Sequence, residues 1–168
     1  MLIETSLEIS DKPLSEKAVE FLKAGRARFD SVNCFEFVPS DYELVWRYLA
    51  ANPVERFCEW GSGHGIVTGL AEILGMQATG VEIDQGLVDS SRSLFAEFNL
   101  ESEIIVGDYL DSEVQADIYF VYCWPGKFKV TEEKFEALAP PGARLLICYG
   151  QSQILCKIRK ESATDPGV

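Results

Sequence analysis

Histidine is nearly absent from this chain of 168 residues, in which His64 is the single one. The five cysteines are odd in number and show neither the spacing of a disulfide framework nor a close metal-ligand pair. A zinc site is therefore not expected, and unpaired thiols are typical of a reducing, cytoplasmic location. Because no neighbour in the sequence would orient its ring, His64 is not favoured as a general base.

Long apolar runs and positive charges are also scarce. The longest apolar run, residues 118–124, is too short to cross a bilayer, and the first residues lack a basic segment. Neither a transmembrane helix nor a secretory signal is predicted. The 15 Lys and Arg residues stand against 27 Asp and Glu residues, which gives a formal net charge of −12. This charge disfavours nucleic acid and anionic membranes as partners, although a solvated acidic surface explains it equally well.

From residue 56 onward, short apolar strands alternate with amphipathic helices. Strands are predicted over 56–60, 77–83, 103–106, 116–123, 143–149 and 153–159, and helices over 65–74, 87–98 and 131–138. This order predicts an α/β fold with a doubly wound, mostly parallel sheet of about six strands.

The residues ahead of this pattern are predicted to be a helical segment, 1–52, within a single domain whose core is 53–160 and whose tail is 161–168. Residues 1–12 show no clear period and are expected to be an arm or a loosely held strand. One helix is predicted over 15–29. A second begins with the capping-box pattern Ser40-x-x-Glu43 and ends near Asn52-Pro53.

A glycine-rich turn follows the first core strand. Its glycines allow backbone angles closed to other residues and leave no Cβ in the way of a ligand, and the helix that follows offers unpaired N–H groups. Glu82 ends the second strand at about the 20-residue spacing typical of a carboxylate that binds ribose hydroxyls. A dinucleotide fingerprint would need glycine where Ile66 stands, which disfavours a nicotinamide-dependent oxidoreductase.

The pattern Glu59-x-Gly61-x-Gly63-x-Gly65 resembles the first motif of the class I S-adenosylmethionine-dependent methyltransferases. The resemblance covers roughly residues 35–150 and implies a Rossmann-like fold with S-adenosylmethionine as cofactor. The cofactor-binding residues that it implies are Glu59, Gly61, Ser62, Gly63, Gly65, Glu82, Ile83, Asp108, Tyr109 and Cys123.

Within this set, the resemblance implies that Glu59 binds the ammonium group of the cofactor and that Glu82 binds the ribose. The alternative for Glu59, which is compatible with the first role, is an acid at a strand end that bonds amides of the turn. If the second strand ended two residues later, Asp84 would take the place of Glu82; otherwise Asp84 caps the next helix. Asp108 and the amide of Tyr109 would meet the adenine, with a simple helix cap as the alternative for Asp108.

The segment Cys123-Trp124-Pro125 follows the fourth strand, where the family places the residues that face the methyl group. The enzymes of this family that methylate the amino groups of bases have Asp or Asn at this place, followed by Pro-Pro and an aromatic residue. This chain has Cys123-Trp124-Pro125 instead and so departs from them. We predict a substrate pocket of Tyr42, Trp124 and Pro125. In it an aromatic face would bind a lysine or another amine, with core packing of Trp124 as the alternative.

The segment 35–42, which contains Phe-Val-Pro, resembles the loop over the cofactor in small protein-lysine methyltransferases of this fold, and makes Phe37 and Tyr42 candidate lid residues. The predicted activity is N-methylation of a protein lysine or a small amine. Such transfer mainly requires positioning, so no catalytic residue is assigned. A binding module without transfer activity is the alternative, because the family adds a helix and an antiparallel pair after the fifth strand and this chain has room for one strand.

Overall fold

The computed structural model describes residues 1–34, 37–124, 126–150 and 152–161. Its seven-stranded sheet has the order β1-β7-β6-β5-β2-β3-β4. The strands are β1 Leu2–Thr5, β2 Arg56–Trp60, β3 Gln77–Glu82, β4 Glu103–Val106, β5 Ile118–Tyr122, β6 Arg144–Cys148 and β7 Ile154–Arg159. The helices are α1 Glu16–Arg26, α2 Tyr42–Ala51, α3 Ile66–Ile73, α4 Gln85–Phe98 and α5 Phe128–Leu138, with short 3₁₀ helices at Phe29–Ser31 and Tyr109–Asp111.

The mostly parallel α/β sheet predicted from the sequence is confirmed. Strands β6, β5, β2, β3 and β4 pair in parallel, and β7 pairs antiparallel to β6. The sheet has one strand more than predicted, because the amino-terminal residues form an ordered strand. β1 pairs antiparallel to β7, with Leu2 opposite Arg159 and Thr5 opposite Cys156.

The start of α2 differs from the prediction. Asp41, rather than Ser40, is the N-cap residue, and its Oδ1 accepts a hydrogen bond of 3.0 Å from Leu44 N. Asp is at least as good a cap as Ser, so the helix begins one residue later than the capping box indicates. The second oxygen of Asp41 accepts from Ser152 Oγ at 2.9 Å, which ties the start of α2 to the segment before β7.

Helices cover the two faces of the sheet unequally in the part of the chain that the structure describes. Residues of α1, α2, α3 and α4 form one apolar cluster with one face of the sheet. On the opposite face, the strands form a second apolar cluster, to which α5 is the helix that contributes. Phe21 on the first face and Phe135 on the second are fully buried, and each such side chain contributes about 1.5–3 kcal/mol.

The strand order reverses at β2, because the chain proceeds to β3 and β4 on one side and to β5 and β6 on the other. In open α/β sheets, ligands bind at this reversal, beyond the carboxyl ends of the strands. The fold therefore directs attention to the residues that follow β2, β3, β4 and β5.

Candidate functional site

A cavity of about 480 Å³ lies at the carboxyl ends of β2, β3, β4 and β5, a size within the range of small-molecule sites. Of the predicted cofactor residues, those on its wall are Glu59, Gly61, Ser62, Gly63, Glu82, Ile83, Asp108, Tyr109 and Cys123. The predicted substrate residues Tyr42 and Trp124 line it as well. Pro125 lies outside the described residues, as do Phe35 and Glu36 of the predicted lid segment.

Gly65 is not among the residues that line this cavity. It is the N-cap residue of α3 with a φ of +73°, and an added Cβ would lie 2.9 Å from the ring of Phe95. Its position requires glycine because the turn packs against α4. Gly63, with a φ of +55°, would place a Cβ 2.8 Å from the ring of Phe37, so this lid candidate lies directly against the turn.

The carboxylate of Glu82 is held from two sides. Its Oε2 accepts from Gly63 N at 2.8 Å and its Oε1 accepts from Asp84 N at 2.9 Å. Each oxygen keeps a second lone pair, and the side chain is buried on the cavity wall. Asp84 caps α4 by accepting a hydrogen bond from Leu87 N at 2.9 Å. This is the role predicted for Asp84 if β3 ends at Glu82, which it does.

Glu59 is a buried carboxyl group at the end of β2. Its Oε2 accepts from Thr68 N at 2.8 Å and from Thr68 Oγ1 at 2.6 Å. Burial raises the pKa of Glu59 to about 8, and the charge of Glu82 adds to this effect, whereas the bonds from Thr68 oppose it. Thr68 was missed in the sequence; a hydroxyl in the first turn of the helix after the glycines was the available signal.

We expect Glu59→Gln to stabilise the protein increasingly as the pH rises. The folded state keeps a proton on Glu59 up to about pH 8, whereas the unfolded chain releases it near the ordinary value of 4.5. In the wild type, this group therefore lowers the free energy of unfolding as the pH rises through that interval. Glutamine does not titrate and keeps an oxygen that can accept from Thr68.

Urea unfolding of the wild type and the variant at about pH 5 and about pH 8 checks this, with an expected relative gain of at least ~1 kcal/mol at the higher pH. A variant whose advantage is the same at both pH values would contradict the buried, protonated state of Glu59.

At the β4 end of the cavity, Asp108 is a helix cap, which was the alternative to adenine binding in the sequence analysis. Its Oδ1 accepts from Leu110 N at 2.9 Å, and its exposed side chain also lines the cavity. The ring of Tyr109 is stacked on Trp60, with centroids 5.2 Å apart and planes at 16°. Ile83 is 66% exposed, so it offers an apolar surface at the same end.

His64 is oriented by a residue that is distant from it in the sequence. Nδ1 lies 2.7 Å from Ser90 Oγ on α4, and the ring is packed against Phe37 and Phe29. Burial, together with the charge of Arg28, lowers the pKa of His64, so the ring is neutral near pH 7. His64 also lines the cavity, and its lack of a catalytic role stays a prediction.

The segment after β5 has one buried and one exposed member. Cys123 is buried, its Sγ lies 3.6 Å from Thr131 Oγ1, and burial raises the pKa of its thiol. Trp124 is 45% exposed and meets Tyr122 edge to face at 5.6 Å. This exposure argues against core packing for Trp124.

The described ranges contain neither a metal-binding cluster nor a membrane-spanning helix. No group of three or more His, Cys, Asp or Glu side chains in them has an arrangement that could hold a metal ion. Within the same ranges, no helix has both the length and the apolar character that a membrane span needs.

The sheet order, the glycine turn and the acids at the strand ends define a Rossmann-like methyltransferase fold. No protein-family model and no curated protein matches the chain. Among solved structures, it is similar to an RNA methyltransferase from Salinibacter ruber in complex with S-adenosyl-L-homocysteine, with 20% identity and a TM-score of 0.65 over 78% of this chain and 100% of that one.

Two other structures show the same likeness. A methyltransferase from Podospora anserina bound to S-adenosylhomocysteine has 14% identity and a TM-score of 0.63 over 81% of this chain and 63% of that one. An O-methyltransferase from Bacillus cereus in complex with S-adenosylhomocysteine has 18% identity and a TM-score of 0.62 over 80% of this chain and 66% of that one. At these identities the likeness establishes the fold, and the lysine-methyltransferase subtype stays a prediction.

Proposed function

We propose that this protein is an S-adenosylmethionine-dependent methyltransferase. The observation that carries the proposal is the position of three carboxyl groups, Glu59, Glu82 and Asp108, at or just past the carboxyl ends of the adjacent strands β2, β3 and β4 on the wall of one cavity. The three similar structures, all methyltransferases bound to S-adenosylhomocysteine, support the same assignment.

The residues on the cavity wall fit this cofactor. The described hydrogen bonds to Glu59 both use Oε2, which leaves Oε1 for an ammonium group. The free lone pairs of Glu82 suit a pair of ribose hydroxyls, and Ile83 and Asp108 offer an apolar surface and an acceptor for adenine. A Cβ at Gly61 would meet no atom within 4 Å, so the turn leaves space beside the cavity.

When bound, the cofactor supplies an electrophilic methyl group on a sulfonium. The protein's own contribution is then to position the acceptor and to exclude water. Cys123 and Trp124 occupy the end of β5, next to the cavity, and Tyr42 lies at its wall from α2. Trp124 and Tyr42 are the proposed acceptor site, and Cys123 is a proposed cofactor-binding residue beside them.

We further propose an amine as acceptor, either a protein lysine or a small molecule. Four carboxyl-bearing residues, Glu59, Glu82, Asp84 and Asp108, line the described cavity against the single cation Lys127. Because Glu59 is protonated near pH 7, the other three carboxyl groups face this one cation. Such a wall still repels phosphate and favours a basic or neutral acceptor. The exposed indole of Trp124 provides a face that attracts an ammonium or alkylammonium group.

Calorimetry with S-adenosylmethionine and S-adenosylhomocysteine, and with NADH as the control ligand, tests the cofactor. Binding of NADH without binding of either adenosyl compound would overturn the proposal. Transfer of labelled methyl groups to small amines, lysine peptides and RNA tests the acceptor. Label on RNA alone would overturn the amine assignment, and cofactor binding without any labelled product would favour a binding module.

We expect Trp124→Ala to raise KM for an amine acceptor about tenfold, because a partly desolvated cation–π contact contributes about 1–2 kcal/mol. The affinity for S-adenosylhomocysteine should change less than about twofold, since the removed surface belongs to the acceptor side. Trp124→Phe is the matched control and should keep much of the effect. An unchanged KM in the alanine variant would remove Trp124 from the acceptor site.

A further inference from the structure

Thr131 is a buried hydroxyl residue of α5 that joins two walls of the cavity. Its side chain is 0% exposed. Its Oγ1 lies 3.0 Å from Tyr109 Oη and 3.6 Å from Cys123 Sγ, and it donates to Lys127 O at 3.0 Å. Tyr109, Cys123 and Lys127 all line the cavity, whereas Thr131 does not.

The direction of these hydrogen bonds follows from counting protons. A threonine hydroxyl has one proton, and the carbonyl of Lys127 can only accept, so Thr131 donates there. The phenol of Tyr109 must therefore donate to Thr131. Its proton is directed away from the cavity and towards α5, so the ring of Tyr109, not its hydroxyl proton, is what Tyr109 offers to a ligand.

Two restraints together fix the ring of Tyr109. Its face is stacked on Trp60 at the end of β2, and its hydroxyl is held by Thr131. The ring belongs to the short 3₁₀ helix after β4, in which Ser112 N donates to Tyr109 O at 3.1 Å. Without Thr131, this half-buried phenol would lose its hydrogen-bond partner, and the described polar contact between the loop after β4 and α5 that remains is the ion pair of Glu113 with Lys134.

We propose that Thr131 is a positioning residue for the adenosyl part of the cofactor site, acting through Tyr109. The inference rests on the proposed function, since it assigns the β4 end of the cavity to the adenosyl group. A role limited to the first turn of α5 would need only the bond to Lys127. Thr131 also bonds Tyr109, which lies on a different loop at the cavity wall. Stabilisation of α5 alone does not explain this second bond.

Thr131→Val keeps the shape of the side chain and removes both the acceptor for Tyr109 and the donor to Lys127 O. We expect it to weaken S-adenosylhomocysteine binding about tenfold, and we expect Thr131→Ser to restore the affinity to within about threefold of wild type. Tyr109→Phe should cost no further affinity in the Thr131→Val background, because both changes remove the same hydrogen bond.

The matched control is Tyr48→Phe. Tyr48 is a buried tyrosine of α2 whose hydroxyl lies 3.5 Å from Cys156 Sγ and which does not line the cavity. This variant should lower Tm but leave the affinity for S-adenosylhomocysteine unchanged. Equal losses of affinity in Tyr48→Phe and Thr131→Val would show a general loss of packing and would overturn the inference.

Hydrogen exchange of the ligand-free protein supplies a readout that does not depend on the cofactor. The Ser112 amide should exchange about tenfold faster in Thr131→Val and at the wild-type rate in Thr131→Ser. If wild type bound no S-adenosylhomocysteine, the proposed function would fail, and this exchange would still decide whether Thr131 holds the loop. Wild-type affinity and wild-type exchange in a folded Thr131→Val variant would overturn the inference.

Discussion

Glu82→Ala is expected to weaken the binding of S-adenosylhomocysteine by about 1–3 kcal/mol, which is the usual cost of losing hydrogen bonds to a charged group. The carboxylate is held by Gly63 N and Asp84 N, so its remaining lone pairs are fixed before a ligand arrives. Alanine removes both the ribose acceptor and the restraint on the glycine turn, and these two losses act in the same direction. Calorimetry on the folded variant measures the change.

Asp84→Ala is the informative control for Glu82. It removes the N-cap of α4 and is expected to lower stability by about 1 kcal/mol, while the affinity for S-adenosylhomocysteine falls less than in Glu82→Ala. The comparison also decides between the two acids considered for the ribose. A larger loss of affinity in Asp84→Ala than in Glu82→Ala would exchange their roles.

The second large effect is expected at Glu59. Its raised pKa means that Glu59 is protonated near pH 7 before a ligand binds, and an ammonium group next to the carboxyl would favour the charged form. Binding should therefore release a proton, and affinity for S-adenosylmethionine should increase by up to roughly tenfold per pH unit between about pH 6 and pH 8. The negative charge of Glu82 favours the protonated form of Glu59. Burial and the charge of Glu59 raise the pKa of the Tyr42 phenol and of the Cys58 thiol, so both groups are neutral in this interval.

Glu59→Gln should flatten this pH dependence and weaken binding at about pH 8 by roughly tenfold or more, because the neutral amide cannot pair with an ammonium. Calorimetry in two buffers with different ionisation enthalpies counts the released protons directly. The same slope of affinity against pH in the wild type and in Glu59→Gln would show that another group releases the proton. The variant is expected to be more stable than wild type at this pH, so weaker binding could not be attributed to unfolding.

The parts of the site that the sequence predicted depend on local patterns. Glu59 and Glu82 end strands that alternation of apolar residues marks out, and the glycines between them have a spacing that only a tight turn uses. Asp84 was identifiable as a cap because a cap is defined by the residues that follow it. In each of these cases, the relevant contacts lie within one βα unit.

The parts that the sequence did not predict depend on contacts between distant segments. Ser90 orients His64 from 26 positions away, and Thr131 reaches Tyr109 over 22 positions. Both pairs form because helices pack against strand ends, and neither leaves a periodic signal. The pairing of β1 with β7 is the most distant case, since a strand of four residues gives too short a pattern to assign.

The pairing of β1 also has a consequence for handling the protein. Strand β7 lies between β6 and β1, so both of its sides are hydrogen-bonded, and Lys160 N donates to Met1 O at 3.0 Å at the end of the ladder. Removing or displacing the first five residues would expose a row of free N–H and C=O groups along β7. Exposed edges of this kind recruit strands from other molecules, so trimming or a bulky fusion at this end invites aggregation even though the cavity lies elsewhere.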